Sequence, residues 1–197
     1  GLGDVYKRQQ DDNAETFFLH LARGSGLRGL GGIYPVNGMY IRPLLCVGRK
    51  EIEDYLKGWE MPYCIDATNM EDAYMRNRIR NHVIPYFKEN INEKTVEHMN
   101  RSMDQLREIW DYMERQTESA YQICTDQNGE KICIHADAYH RQERLIRKMI
   151  LRKALALVAE HEKDLEQVHV EKLEGLFEKQ VLSLIHISEP TRLQLIS

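Results

Sequence analysis

Asp11, Asp12 and Glu15 stand together at the head of an apolar segment, in Gln10-Asp-Asp-Asn-Ala-Glu-Thr16. Two readings of these acids are open. Carboxylates in a first helical turn cap free N–H groups and complement the helix dipole. Hard carboxylate oxygens also suit Mg²⁺ at Asp11 and Asp12, and an anion beside an amine nucleophile orients it and accepts its proton. The segment runs into Arg23-Gly24-Ser25-Gly26-Leu-Arg-Gly-Leu30. This is either a helix C-cap with a turn, or a loop whose backbone N–H groups and arginines meet phosphates. No Gly-Lys-Ser/Thr follows, so it is not a Walker A loop.

Further along, Arg76-Asn77-Arg78-Ile79-Arg80 places Arg76 and Arg80 on one helical face with Val83 and Phe87. Guanidinium groups in line with a buried stripe need a carboxylate or a phosphate, so an ion pair and an anion site are both open. Arg141, Arg144, Lys148 and Arg152 recur at helical spacing. Such a row is a solvated face or a track for a phosphate backbone. The histidines form no recognisable ligand set. The four cysteines, Cys46, Cys64, Cys124 and Cys133, include no C-x-x-C pair, so the thiols read as core filler in a reduced protein.

The elements that must position these residues follow from periodicity. Residues 13–22 read as a helix with Asp12 as N-cap and Glu15 in a capping box. Residues 39–46 read as a short strand, 49–59 as a helix and 63–65 as a second short strand. This alternation suggests the tail of a parallel-sheet α/β domain. After Asn69 the chain turns helical. Residues 72–87 read as a helix kinked at Pro85. Val96, Met99, Met103, Leu106, Trp110, Met113, Thr117, Ala120 and Cys124 alternate by three and four, which predicts one long helix over 95–124. Asn128-Gly129 predicts a hairpin turn, and helices follow over 138–160 and 167–179.

The 197 residues are 42% hydrophobic and 29% charged with net charge −4. That is ordinary globular composition, and it argues against wholesale nucleic-acid binding while leaving room for a local basic stripe. No apolar run approaches a membrane span. The two ends carry a different signal. Asp4-Val-Tyr-Lys-Arg-Gln9 and Leu182-Ser-Leu-Ile-His-Ile187 can be encoded by one stretch of DNA read on opposite strands. That stretch resembles a transposon end used in sequencing adapters. Residues 1–9 and 182–197 are therefore set aside from fold reasoning as adapter-derived tails.

Five motifs in order, Asp11-Asp12-x-x-Glu15-Thr16, Arg23-Gly-Ser-Gly-Leu-x-Gly-Leu30, Ile41-Arg-Pro-Leu-Leu45, Asp66-x-x-Asn69 and Arg76-Asn77-x-Ile79-Arg80 with Pro85, resemble the bacterial tRNA(Ile)-lysidine synthetases. The resemblance implies a fold class: an α/β remnant of a parallel-sheet PP-loop ATP pyrophosphatase domain over 10–70, then a mainly α-helical tRNA-binding domain with a small β-hairpin over 71–181. It implies a cytoplasmic ligase, a homodimer when complete, that uses ATP and Mg²⁺ to adenylate the wobble cytidine of the CAU-anticodon isoleucine tRNA. The amine of free L-lysine then displaces AMP. Asp11, Asp12 and Glu15 would hold Mg²⁺ or that amine. Arg23, Gly24, Ser25 and Gly26 would border the nucleotide. Arg76, Asn77 and Arg80, with the later row from Arg141 to Arg152, would meet polyphosphate or tRNA.

The family's Ser-Gly-Gly-x-Asp-Ser phosphate loop does not occur in this sequence, nor does the His-His that precedes the acidic doublet. The chain by itself is therefore expected to be a fragment without ligase activity. Two rival readings stand beside the first: a tRNA thiolase of the same superfamily, and a non-catalytic helical RNA-binding module.

Overall fold

The computed structural model describes residues 7–63, 74–128, 131–158, 174–175, 184–189 and 192–196. By packing the chain forms two units, 1–110 and 111–197.

In the first unit, helix α1 (Gln10–Ala22) begins three residues before the expected start. Asp12 is not its N-cap. The Asp12 carboxylate reaches back one turn and accepts the Gln9 N–H at 3.0 Å, which leaves Glu15 free to turn inward. Gly24, at φ +69, closes the other end. Ser25 N–H donates to His20 O at 2.9 Å and Gly24 N–H to Leu21 O at 3.1 Å, so the helix ends in a left-handed cap that glycine adopts without strain. A single turn, α2 (Leu27–Leu30), follows.

The strand expected over 39–46 is shorter than predicted. It forms a small antiparallel hairpin, β1 (Val36–Asn37) with β2 (Tyr40–Ile41), then a 3-10 turn over Pro43–Cys46. Pro43 has no N–H to donate and cannot continue a ladder. Helix α3 (Arg49–Gly58) lies where its pattern put it. Tyr63 is not in a strand, and residues 64–65 lie outside the described residues, as do Asp66 and Asn69. Every strand pairing among the described residues is antiparallel.

Helix α4 (Met75–Arg78), a π turn (Ile79–Val83) and α5 (Ile84–Asn90) form one continuous run. The expected disturbance at Pro85 is present as this widened turn. Proline gives no hydrogen bond to the preceding turn, and its ring pushes against the carbonyl there. Ala14, Ile79, Ile84 and Val96 form the buried core of the unit, with Phe18, Leu19, Val83 and Met99 packed around them. α4 and α5 thus fold back on α1.

Helix α6 (Thr95–Cys124) matches the predicted long helix. Its seam is the buried one: Val96, Met103, Thr117, Ala120 and Cys124 are all buried. In the second unit β3 (Thr125–Asn128) and β4 (Lys131–His135) form the expected hairpin, with Asn128 opposite Lys131; Gly129 lies outside the described residues. The helix expected over 138–160 is broken. Helix α7 (Ala136–His140) and helix α8 (Arg144–Val158) are separate. Of the helix expected over 167–179, only 174–175 are described, and they are helical. The core of this unit gathers Tyr121, Cys124, Ile132, Ile134, Tyr139, Ile150 and Leu151. Cys124 is core filler as expected; Cys46 is exposed.

Two stretches set aside on sequence grounds have partners in the structure. Arg8 pairs with Asp12, and β5 (Leu184–Glu189) and β6 (Arg192–Ile196) extend the β3–β4 hairpin into a four-stranded antiparallel sheet. An edge strand pairs through its main chain and accepts extended segments of many sequences.

Candidate active site

Glu15 is the centre of the acidic cluster and is fully buried. Its carboxylate is held by both arginines of the Arg76–Arg80 motif. Arg76 Nε donates to Oε2 at 2.8 Å. Arg80 donates through Nε to Oε1 at 2.5 Å and through Nη2 to Oε2 at 3.1 Å. Arg76 Nη2 also donates to Thr16 Oγ1 at 2.7 Å and to the Asp12 carbonyl at 3.3 Å. The hydrogen bond that Arg80 donates to Glu15, with the fields of Glu15, Asp12 and Asp11, outweighs burial and keeps Arg80 still more firmly protonated than usual. An unpaired carboxylate at this depth would be costly, and the two guanidinium forks remove that cost. Of the two partners that the helical spacing left open, a carboxylate or a phosphate, the geometry shows the carboxylate.

Asp11 and Asp12 face a different setting. Asp12 Oδ1 lies 3.2 Å from Arg8 Nη1 and 3.6 Å from Arg80 Nη2. Asp11 Oδ2 accepts the Arg49 N–H at 2.8 Å, at the start of α3, and its Oδ1 lies 3.7 Å from Lys88 Nζ. Both line a cavity of about 610 Å³. Its polar side is made by these acids with Lys7, Arg49, Arg80 and Lys88, and its apolar wall by Ile52, Leu56 and Tyr63. No group of three or more metal-ligating side chains occurs among the described residues.

The glycine-rich loop is not part of this cavity. Arg23, Gly24, Ser25 and Gly26 sit at the far end of α1, roughly 16 Å along the helix axis from Asp12 at about 1.5 Å per residue. The loop folds on the helix end, where His20 donates from Nδ1 to the Gly29 carbonyl at 2.6 Å. That contact makes His20 a packed residue. Asn77 lies in α4 between the two arginines, its N–H bonded to Tyr74 O at 3.0 Å.

The later basic row is only partly a row. Arg141 lies in the turn between α7 and α8, so its predicted place on the face of Arg144, Lys148 and Arg152 is corrected. Arg144 and Lys148 share one carboxylate, Glu174, at 3.2 and 3.3 Å. Burial works against the charge of Glu174, but these two cations outweigh it and hold the carboxyl below its ordinary range. Arg152 is exposed.

Several partners escaped the sequence reading. Lys88 continues the four-residue spacing Arg80, Ile84, Lys88, a signal that was present in the pattern. The Arg49 N–H, Asn13, Asn100 and Arg107 carried none, because their contacts span between 20 and 90 residues of chain.

Residues 5–87 match the profile of a PP-loop domain, and the cavity lies within that stretch apart from its outer rim at Lys88 and Glu89. The first unit is thus built around a PP-loop domain. The tRNA(Ile)-lysidine synthase of Caldanaerobacter subterraneus subsp. tengcongensis is 41% identical over 178 residues, covering 90% of this chain and 38% of that protein. The synthase of Clostridium acetobutylicum is 34% identical over 166 residues, 84% of this chain and 36% of that protein. That of Geobacter sulfurreducens is 36% identical over 151 residues, 75% of this chain and 32% of that protein. The chain carries a PP-loop domain and is similar over most of its length to tRNA(Ile)-lysidine synthases. It spans little more than a third of the length of these curated relatives.

Proposed function

We propose that this chain is the amine-acceptor portion of a tRNA(Ile)-lysidine synthase. The observation that carries the reading is the adjacent carboxylates of Asp11 and Asp12 on the wall of a cavity with one apolar side. In the proposed reaction ATP adenylates O2 of the wobble cytidine of the CAU-anticodon isoleucine tRNA and pyrophosphate leaves. The ε-amine of L-lysine then attacks C2, and AMP leaves. Asp12, assisted by Asp11, holds the lysine ammonium and takes its proton as the C–N bond forms. The stem of lysine lies against Ile52, Leu56 and Tyr63. Glu15 acts through Arg76 and Arg80, which it holds in place, and Arg80 brings positive charge to the cavity.

The donor set fits Mg²⁺ only in the manner usual for that ion, with one or two carboxylates and phosphate oxygens completing the shell. Asp11 and Asp12 would be those carboxylates, and the ion would supply charge neutralisation at the phosphates. The glycine-rich loop from Arg23 to Gly26 is assigned to the nucleotide side, separate from the amine cavity. Arg144, Lys148 and Arg152, with Arg141 beside them, are assigned to tRNA. The domain plan is the one expected from sequence: part of a parallel-sheet PP-loop domain over 10–70 and a tRNA-binding helical domain over 71–181. Tails of adapter origin flank them, and the complete enzyme works in the cytoplasm.

Because Ser-Gly-Gly-x-Asp-Ser is not among these 197 residues, the chain alone is expected to form no lysidine. The test of the amine role is Asp12→Ala in the complete protein that carries this segment. Lysine transfer is expected to fall by at least about 10²-fold, in the range of a lost general base, while ATP-dependent pyrophosphate release persists. Undiminished transfer would remove Asp12 from the chemistry.

A further inference from the structure

The residue after the acidic doublet is fully buried and polar. Asn13 is 0% exposed, and Asn100 on α6 is 8% exposed. Asn13 Oδ1 accepts the Ile33 N–H at 2.7 Å, so its Nδ2 is the end that donates to Asn100 Oδ1, at 2.7 Å. That in turn orients the Asn100 amide, whose Nδ2 donates to Gln10 O at 3.1 Å and Val96 O at 2.8 Å. Each contact fixes the next, and neither amide can be flipped without placing donor against donor.

The ends of this chain of bonds matter. One end is Gln10, which precedes Asp11. Its N–H is bound to Val47 O at 3.1 Å and its side chain to Cys46 O at 2.9 Å. The other end is Ile33, where the glycine-rich segment finishes. There Arg107, also from α6, donates to the carbonyls of Gly31 and Ile33 at 2.5 and 3.1 Å. Gly32 lies between them at φ +70, and an added Cβ would meet Asn13 Oδ1 and Met103 Sδ. The acidic turn and the end of the glycine-rich segment are therefore fastened to one helix by one pair of amides.

We propose that Asn13 and Asn100 are positioning residues that hold the acidic turn and the glycine-rich segment in a fixed register for lysine transfer. This rests on the lysidine reading of the cavity. An apolar pair of similar size would fill the space and leave neither amide unpaired, while the Ile33 N–H and the Gln10 carbonyl would lose their side-chain partners. What the amides add is direction: they fix which carbonyl and which N–H lie opposite each other.

The double variant Asn13→Leu/Asn100→Leu in the complete protein separates holding from filling. Its unfolding midpoint is expected to fall modestly, because the Ile33 N–H loses its acceptor, with the protein still folded. Amide exchange at Ile33 and Gln10 is expected to rise together, and kcat for lysine transfer to fall on the order of 10²-fold with KM for ATP unchanged, the scale of a small misplacement at a reacting centre. A folded double variant with parental kcat overturns the proposal, and so does a kcat loss that merely follows the folded fraction. If the double variant does not fold, the isosteric Asn100→Asp, which keeps an acceptor for Asn13 Nδ2, is read by the same criteria. If the parent itself makes no lysidine, the functional reading has failed, and exchange decides the coupling separately. Faster exchange at both Ile33 and Gln10 supports it; faster exchange at Ile33 alone overturns it.

Discussion

Glu15→Ala is expected to destabilise the first unit by about 3 kcal/mol, the lower end of the range for removing one partner of a buried charge cluster. Glu15 is the only carboxylate that bonds both Arg76 and Arg80 among the contacts of the described residues. Its loss leaves two guanidinium groups side by side without the carboxylate they share. The arginine side chains are 32% and 27% exposed, so water recovers part of the loss, and the upper end of the range is not reached. Urea unfolding followed by the fluorescence of Trp59 and Trp110 measures the effect. A change below about 1 kcal/mol would be that of an exposed pair, and would show that the apolar contacts alone hold α4 and α5 to α1.

Gly32→Ala has the second large effect, expected at about 2–4 kcal/mol. Two costs combine. At φ +70 a residue with a Cβ is strained by about 1–2 kcal/mol. The added methyl would also lie 2.5 Å from Met103 Sδ and closer still to Asn13 Oδ1, an overpacking that usually costs about 1–3 kcal/mol. Met103 is flexible and can yield. Asn13 cannot, because both ends of its amide are engaged. The expected mark of this mechanism is that Ile33 loses exchange protection before the helices do. Gly24→Ala is the control: it shares a positive φ of +69 but has nothing within 4 Å of its Cβ, so it should carry the conformational cost only.

The parts of the fold that were legible in the sequence are those set by local pattern. The seam from Val96 to Cys124 announced α6, because a helix over twenty residues long repeats its period many times. The pairing of Arg76 and Arg80 with a carboxylate was legible as one of two options, since same-face arginines inside a buried stripe need an anion. Which anion was not legible. The carboxylate the structure shows is Glu15, left free because the Asp12 carboxylate serves the helix start. The break at Arg141 was hidden for another reason: Gln142 and Glu143 are good helix formers, and the period runs through them. The pairing of β5 with β4 was invisible for a third, because an edge strand selects partners through backbone geometry. The Asn13–Asn100 pair illustrates the general limit, since a contact spanning 87 residues leaves no trace in any local window.

The account's central claim is that the Asp11–Asp12 cavity serves lysine transfer to tRNA. The most direct measurement incubates the complete protein carrying this segment with ATP, labelled L-lysine and the CAU-anticodon isoleucine tRNA, and analyses the wobble nucleoside by mass. The account predicts lysine joined to that cytidine in the parent, and none with Asp12→Ala or without ATP. An unmodified wobble cytidine with the folded, ATP-supplied parent would contradict it.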